Sequence, residues 1–453
     1  MSNTIWRPRM LRQSGVPLYR SIADSLTDDI ERGVLTAGSR LPTHRDLARR
    51  LGITTLTVSR AYAEAARSGL IDAEVGRGTF VRTARTAVAG SLTDLSRNVI
   101  AANDDIDLAP AGRAAIERLL RTTQYGPAAG SARHRAAGAA WIARSGAAVA
   151  PESVLVTPGA QFSIYTILAA LLAPGETLLC DALTYPGFQA AASGLRLSLE
   201  PLPLDDDGIE PRALQKACIA TGAKVLYTVP TFQNPTATVM SAERRRAIAA
   251  IAKRHGLTII EDDAYNFLLE SQPAPFASLL PDQVCYVSST SKSVSPSLRV
   301  GFIAAPDALL PRIENAIAAS ISFASTVAAE IFTILFESGE IDRVVARKRE
   351  LTGKAQRMAR RHFGDALGAT HAQSPHAWLR LGEGWSGQEL ARRAHDRGVA
   401  VAPSALFAVG DRGFPEAVRI SVGAVGATAE LDDALRVIAG LLVAPAASMP
   451  SIV

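Results

Sequence analysis

No apolar run in this chain reaches the length that crosses a bilayer. The longest candidate, Ile164 to Ala173, is about half of what a span requires, so no membrane partner is expected. Arg7 and Arg9 near the N-terminus have no apolar stretch behind them, and no secretory signal is read there. Cysteine is scarce: Cys180, Cys218 and Cys285 are odd in number and lack metal-type spacing. Reduced structural thiols in a cytoplasmic protein without a metal site are the expectation. Lysine is scarce too, with six in the whole chain and none in residues 1–83. What remains is ordinary for a globular protein: 453 residues, 48% hydrophobic and 20% charged, enough for two or three domains.

The charge is unevenly placed. Residues 1–83 hold 13 arginines against 8 acidic residues, while the rest of the chain carries 35 of each sign. A basic surplus confined to one terminal domain suits a polyanion such as double-stranded DNA, although a solvated surface gives the same count.

Within that domain Tyr19, Ile22, Ala23, Leu26 and Ile30 recur at helical spacing, and Gly33 ends the run. Thr43 caps a second helix, with Asp46 three residues on and Leu47, Ala48 and Leu51 as its apolar face. Gly52 closes it, and Thr54 or Thr55 opens a third helix whose inner face is Val58, Ala61, Tyr62 and Ala65. Two short helices joined by a glycine turn match helix-turn-helix geometry. The start of the third leaves Thr55, Thr57, Ser59 and Arg60 able to reach base edges and phosphates. Residues 70–74 and 79–81 read as two strands, with Gly76-Arg77-Gly78 as the turn of a wing.

Residues 83–93 are small and without period, and read as a linker with a boundary near residue 90. Asp94-Leu95-Ser96-Arg97-Asn98 follows as the opening arm of the next domain, which spans 94–445. There, apolar runs at 154–156, 177–179, 225–229, 257–260 and 284–287 alternate with helical stretches. This predicts an α/β domain with a mostly parallel sheet, its ligand beyond the carboxyl ends of the strands. The chemistry-bearing residues fall at those ends: Thr157-Pro158-Gly159-Ala160-Gln161, Asn234-Pro235, Asp262, and Ser289-Thr290-Ser291-Lys292 with Arg299. A lysine in a hydroxyl-rich turn can form a Schiff base with an aldehyde, and the hydroxyls and arginine can hold a phosphate beside it. Pyridoxal 5′-phosphate (PLP) carries both groups.

Residues 14–82 resemble the winged helix of the GntR family of bacterial regulators. The resemblance rests on Pro17-Leu18-Tyr19, the run from Gly38 to Ala48, Thr57-Val58-Ser59-Arg60-Ala61-Tyr62, and Gly76 to Val81. It implies DNA contacts by Arg45, by the start of the third helix (Thr54, Thr55, Thr57, Ser59, Arg60) and by Gly76 and Arg77. Residues 94–445 resemble the fold-type I PLP enzymes of the aspartate aminotransferase superfamily. On that resemblance Lys292 forms an aldimine with PLP, Asp262 pairs with the pyridine nitrogen, and Asn234 and Tyr265 bond the phenolic oxygen. Ala160, Gln161, Ser289, Ser291 and Arg299 hold the phosphate, Tyr185 stacks on the ring, and Tyr125 reaches the phosphate of the other subunit of a homodimer. Arg419 grips a ligand carboxylate. Ala237 stands where relatives often have glycine, which should alter a loop.

The two domains in this order resemble the MocR-type regulators. That implies a transcription factor whose large domain senses PLP, or an amine or amino acid effector, through Lys292. An active aminotransferase carrying a DNA-binding domain is the alternative, since the catalytic set is complete. A dimerisation scaffold without cofactor is opposed by Lys292, Asp262 and Arg299.

Overall fold

The computed structural model describes residues 6, 8, 18–31, 34–35, 39–67, 71–74, 78–81, 92–101, 106–120, 125–410 and 413–443. The chain divides into two compact units, Met1–Ser91 and Leu92–Val453.

In the first unit, helices α1 (Leu18–Glu31), α2 (His44–Leu51) and α3 (Thr55–Arg67) precede an antiparallel pair, β1 (Ile71–Glu74) and β2 (Gly78–Val81). Thr43 caps α2 by accepting the Asp46 N–H, and Gly52 ends it at φ +64°, a conformation that favours glycine. Ile22, Leu26, Leu47, Val58, Ala61, Tyr62, Ala65, Ile71 and Val81 form one buried cluster. Each element contributes apolar residues at its own period, so none folds without the others. Backbone bonds from Leu41 N–H to the Thr79 carbonyl (2.9 Å) and from Val81 N–H to the Ser39 carbonyl (2.8 Å) tie the pair to the segment before α2. Gly33, Leu70, Gly76 and Arg77, and residues 83–91 of the expected linker, lie outside the described residues. Thr93, expected at the linker's end, is instead in a short strand, β3 (Thr93–Asp94). Its partner lies some 300 residues later, out of reach of any local pattern.

The second unit is built on a seven-stranded sheet. Its strands are β4 (Val154–Thr157), β5 (Thr177–Asp181), β6 (Ser198–Leu202), β7 (Val225–Thr228), β8 (Thr258–Asp262), β9 (Val284–Ser289) and β10 (Gly301–Ala304). Their order is β4-β10-β9-β8-β7-β5-β6. Only β10 runs antiparallel to its neighbours. β4, β7 and β9 are buried along their whole length, as expected of strands covered on both faces. The carboxyl ends of β4, β8 and β9 converge on one edge, where Thr157, Asp262 and Ser289 end their strands. Helix α4 (Ala160–Leu171) opens directly after β4. A C-terminal layer holds α5 (Glu340–Phe363), a three-stranded sheet of β11 (Ala377–Arg380), β13 (Ala402–Pro403) and β14 (Ala417–Ile420), and α6 (Ala429–Val443). Strand β12 (Val399–Ala400) pairs in parallel with β3. No helix among the described residues is long and apolar enough to cross a membrane.

Candidate cofactor pocket and nucleic-acid interface

Eleven of the residues singled out for a cofactor or its ligand line one cavity of about 450 Å³: Ala160, Gln161, Tyr185, Asn234, Asp262, Tyr265, Ser289, Ser291, Lys292, Arg299 and Arg419. They come from separate strand ends and the C-terminal sheet, brought together by the sheet order.

Lys292 follows β9 in a tight turn. Buried Lys348 of α5 pins that turn by donating from Nζ to the Lys292 carbonyl at 2.8 Å. Burial, and then the positive charge of Arg419, lower the Lys292 amine to about 8, against the pull of Asp262. A neutral amine is therefore available near neutral pH, which nucleophilic attack requires. Its Nζ donates to the Asn98 carbonyl.

Asp262 at the end of β8 is buried. Tyr227 of β7 donates to its Oδ2 at 2.7 Å. Its Oδ1 is buried without a partner among the described residues. Burial raises this carboxyl to about 6. An orphaned acceptor costs free energy unless a donor reaches it, and the protonated pyridine nitrogen of PLP is a donor of that kind.

The anion cradle lies at the start of α4. Gly159 has φ +94°, and a Cβ there would stand 3.1 Å from the Arg299 guanidinium. The missing side chain lets that cation approach the first turn of α4, whose free N–H groups favour an anion. Arg299 donates to the Pro158 carbonyl at 3.1 Å and to Ser291 Oγ at 3.4 Å, and Ser289 Oγ donates to Ser291 Oγ at 3.2 Å. Gly187 serves Tyr185: a Cβ there would meet its ring at 2.4 Å.

Arg419 of β14 is 5% exposed. It donates to Asn234 Oδ1 at 2.6 Å and to the Ser96 carbonyl, and lies over the Phe407 ring at 4.8 Å. It has no carboxylate partner among the described residues. Burial lowers it to about 10. A buried guanidinium without an anion fits a carboxylate-bearing ligand. The donor set, the orphaned Asp262 oxygen and the cradle together fit PLP. Ala237, after the Asn234 loop, has φ +62°, the left-handed region where glycine is unstrained.

Tyr125 is not part of this cavity. It is 93% exposed, with its ring edge-on to Phe323 at 6.1 Å. Ser96, Asn98, Tyr227 and Phe407 were not among the expected site residues, nor was His376, whose Nδ1 lies 3.0 Å from Asn98 Nδ2. Ser96 and Asn98 sit in the opening arm, but nothing local marks their carbonyls as partners of Arg419 and Lys292. Tyr227 lies one strand from Asp262, which only the sheet order shows. No cluster of metal-ligating side chains occurs among the described residues.

In the small unit Arg45, Thr54, Thr55 and Arg60 are exposed, and Thr57 and Ser59 half-buried. Thr54 opens α3 by accepting the Thr57 N–H at 3.2 Å, and Ser59 Oγ is 3.1 Å from His44 Nδ1. Leu56, unremarked in the sequence, is 64% exposed among the threonines. An apolar side chain there suits a thymine methyl group.

Residues 18–81 match the model of the bacterial regulatory proteins of the gntR family, and residues 90–438 match that of aminotransferase class I and II. The uncharacterized HTH-type transcriptional regulator YdeF of Bacillus subtilis is 31% identical over 451 residues, 96% of each chain. The probable rhizopine catabolism regulatory protein MocR of Rhizobium meliloti is 26% identical, over 84% of this chain and 83% of its own. The vitamin B6 salvage pathway transcriptional repressor PtsJ of Salmonella typhimurium is 27% identical, over 80% and 84%. This chain belongs to the MocR-type regulators. It is a DNA-binding regulator whose large unit is of the PLP-dependent class I and II aminotransferase family. Among solved structures, LysN, the α-aminoadipate aminotransferase of Thermus thermophilus, aligns with a TM-score of 0.68 at 25% identity, over 84% of this chain and 99% of its own. The large unit thus has the aminotransferase fold, and the small unit the winged helix.

Proposed function

We propose that this regulator takes up PLP at Lys292 and changes its affinity for DNA when the pocket is occupied by PLP alone or by PLP with an amine or amino acid. The observation that carries this reading is the convergence of a lowered-pKa lysine, an orphaned Asp262 oxygen and an unpaired buried arginine in one cavity. When bound, PLP supplies an aldehyde able to condense with a primary amine. Asp262 would hold the ring nitrogen, Asn234 and Tyr265 would bond the phenolic oxygen, and Tyr185 would stack on the ring. Ser289, Ser291, Arg299 and the first turn of α4 would hold the phosphate. Arg419 orients a ligand carboxylate. PtsJ, named for vitamin B6 salvage, is a relative in keeping with this chemistry.

Affinity for DNA can change only if the ligand binds two states of the protein unequally. Exposed Tyr125 is read as completing the phosphate site of a second copy. A two-fold cytoplasmic dimer would present two winged helices to paired half-sites. Arg45, the start of α3 and the wing at Gly76 and Arg77 are assigned to the DNA.

Fluorescence anisotropy on the DNA upstream of its own coding region, at fixed salt, tests the reading. Binding tighter than to scrambled DNA and altered by PLP is expected. Binding indifferent to PLP and to every amine added with it would contradict it. The second reading, an active aminotransferase, is favoured by the complete set around Lys292. It predicts transfer of the amino group to a keto acid in repeated turnovers.

A further inference from the structure

A second cavity of the large unit exceeds the cofactor pocket in size. It measures about 560 Å³, inside the roughly 300–1,000 Å³ of small-molecule sites. None of the residues assigned to PLP lines it. The small sheet relates the two cavities. Trp378 of β11 stands opposite Arg419 of β14, and directly opposed residues share a face of a sheet. Arg380, two residues on from Trp378, shares that face too. Arg419 lines the cofactor pocket, whereas Trp378 and Arg380 line the second cavity.

The cavities share walls. Leu183, Trp378 and Phe407 belong to one buried cluster, and of these Phe407 faces the cofactor pocket. The Trp378 ring is edge-on to Phe407 at 6.4 Å, and Phe407 lies under Arg419. The Asn234 loop joins them again, with Asn234 in one cavity and Thr236 in the other. The interior of the second cavity is apolar and aromatic. Trp378, Leu183 and Val409 are buried there, and Leu204 and Phe414 half-buried. The Thr236 hydroxyl is already engaged, donating to Gln233 Oε1 at 2.9 Å.

Charge is confined to the mouth. Asp205 is met by Arg244 through two bonds, at 3.0 and 2.8 Å. Arg380 donates to Asp206, and both side chains are exposed. Such an exposed pair contributes little to stability, so its members are free to re-engage with a ligand. A Cβ at Gly368 would stand 2.9 Å from Arg380 Cζ, and the missing side chain lets the guanidinium lie against that loop. A cation and an anion side by side at the mouth of an apolar cavity match the head of an α-amino acid, which carries an ammonium and a carboxylate on one carbon. The ammonium can donate to Asp206 while the carboxylate accepts from Arg380. An aromatic side chain then reaches Trp378 and Phe414.

We propose that this cavity is a second, non-covalent site for an α-amino acid with an aromatic side chain, and that its occupancy changes PLP affinity through the shared wall of Trp378 and Phe407. Binding at the second site is independent of the reading of Lys292. The effect on PLP rests on that reading.

The probe is N,N-dimethyl-L-phenylalanine, which keeps both charges but, as a tertiary amine, forms no imine with an aldehyde. Calorimetric titration of the PLP-loaded full-length protein should show saturable one-to-one binding. Arg380→Ala and Asp206→Ala, both at exposed positions, should each weaken it about tenfold. N,N-Dimethylglycine, with the same head and no side chain, should bind more than tenfold more weakly. With the probe saturating, the dissociation constant for PLP should shift by about fivefold or more. No saturable binding overturns the site. Binding that both variants leave untouched places the probe elsewhere, the cofactor pocket included, and overturns it as well. An unchanged PLP affinity overturns the coupling. A protein that develops no visible absorbance with PLP overturns the reading of Lys292, and the same titration without PLP still decides the second site.

Discussion

In the small unit, Arg45, Thr55 and Arg60 stand in water with no ligand needed to satisfy them. In the large unit, Asp262, Lys292 and Arg419 are taken out of water and left with charges or lone pairs only partly met. The contrast separates two ways of holding a binding site ready. Exposed cations lose little by waiting, because water and salt screen them. Buried groups are held at a cost the rest of the fold must cover, and a ligand that meets them recovers it. Substitutions should therefore act strongly and on PLP in one unit, and mildly and on DNA in the other.

The largest effect is expected from Lys292→Ala, which should abolish covalent PLP uptake, read as loss of visible absorbance, while leaving DNA binding without PLP intact. Next is Asp262→Asn, which exchanges the charged partner of the pyridine nitrogen for a neutral one. A charge-assisted hydrogen bond lost in a buried site should weaken PLP roughly ten- to a hundredfold in equilibrium titration. On the other side of the comparison, Arg60→Ala should weaken DNA about tenfold and reduce the salt slope by about one, with PLP titration unchanged. An effect of Arg60→Ala on PLP affinity without DNA would break the separation.

A pH series sharpens it further. Lys292 attacks as the neutral amine, so the rate of PLP capture should rise with pH through about 8 and level off above it. Arg419 disfavours the charged lysine, so Arg419→Ala should move that rise to higher pH. The smallest effect concerns Leu56. Replacing thymine by deoxyuridine in the bound DNA removes the methyl groups and should cost about fourfold in affinity, the worth of one buried methylene-sized contact. Leu56→Ala should not feel the replacement.

Much of this contrast was legible in the sequence, and the remainder has a common cause. Thr43, Gly52 and the inner face of α3 announce themselves because capping and helical period act within a few residues. The strands ending at Asp262 and Ser289 do so because buried parallel strands are continuous apolar runs. Less legible were β10 and β6. Gly301–Ala304 is four residues long, and Ser198–Leu202 contains a proline. Their pairing is a property of the sheet. The same holds for Tyr227 beneath Asp262, and for Ser96 and Asn98, whose partners Arg419, Lys292 and His376 lie up to 323 residues away. Tyr125 was legible as a motif, yet its exposure in this chain removes it from its own pocket. Only a second copy would give it the expected role.

The central claim is that occupancy at Lys292 is transmitted to DNA. The most direct measurement is the dissociation constant for the upstream DNA, with and without PLP, in the wild-type protein and in Lys292→Ala at the same salt. A change of several-fold on adding PLP is expected for the wild type, and none for the variant. The same change in both proteins would show that DNA affinity responds to PLP without Lys292, and would contradict the account.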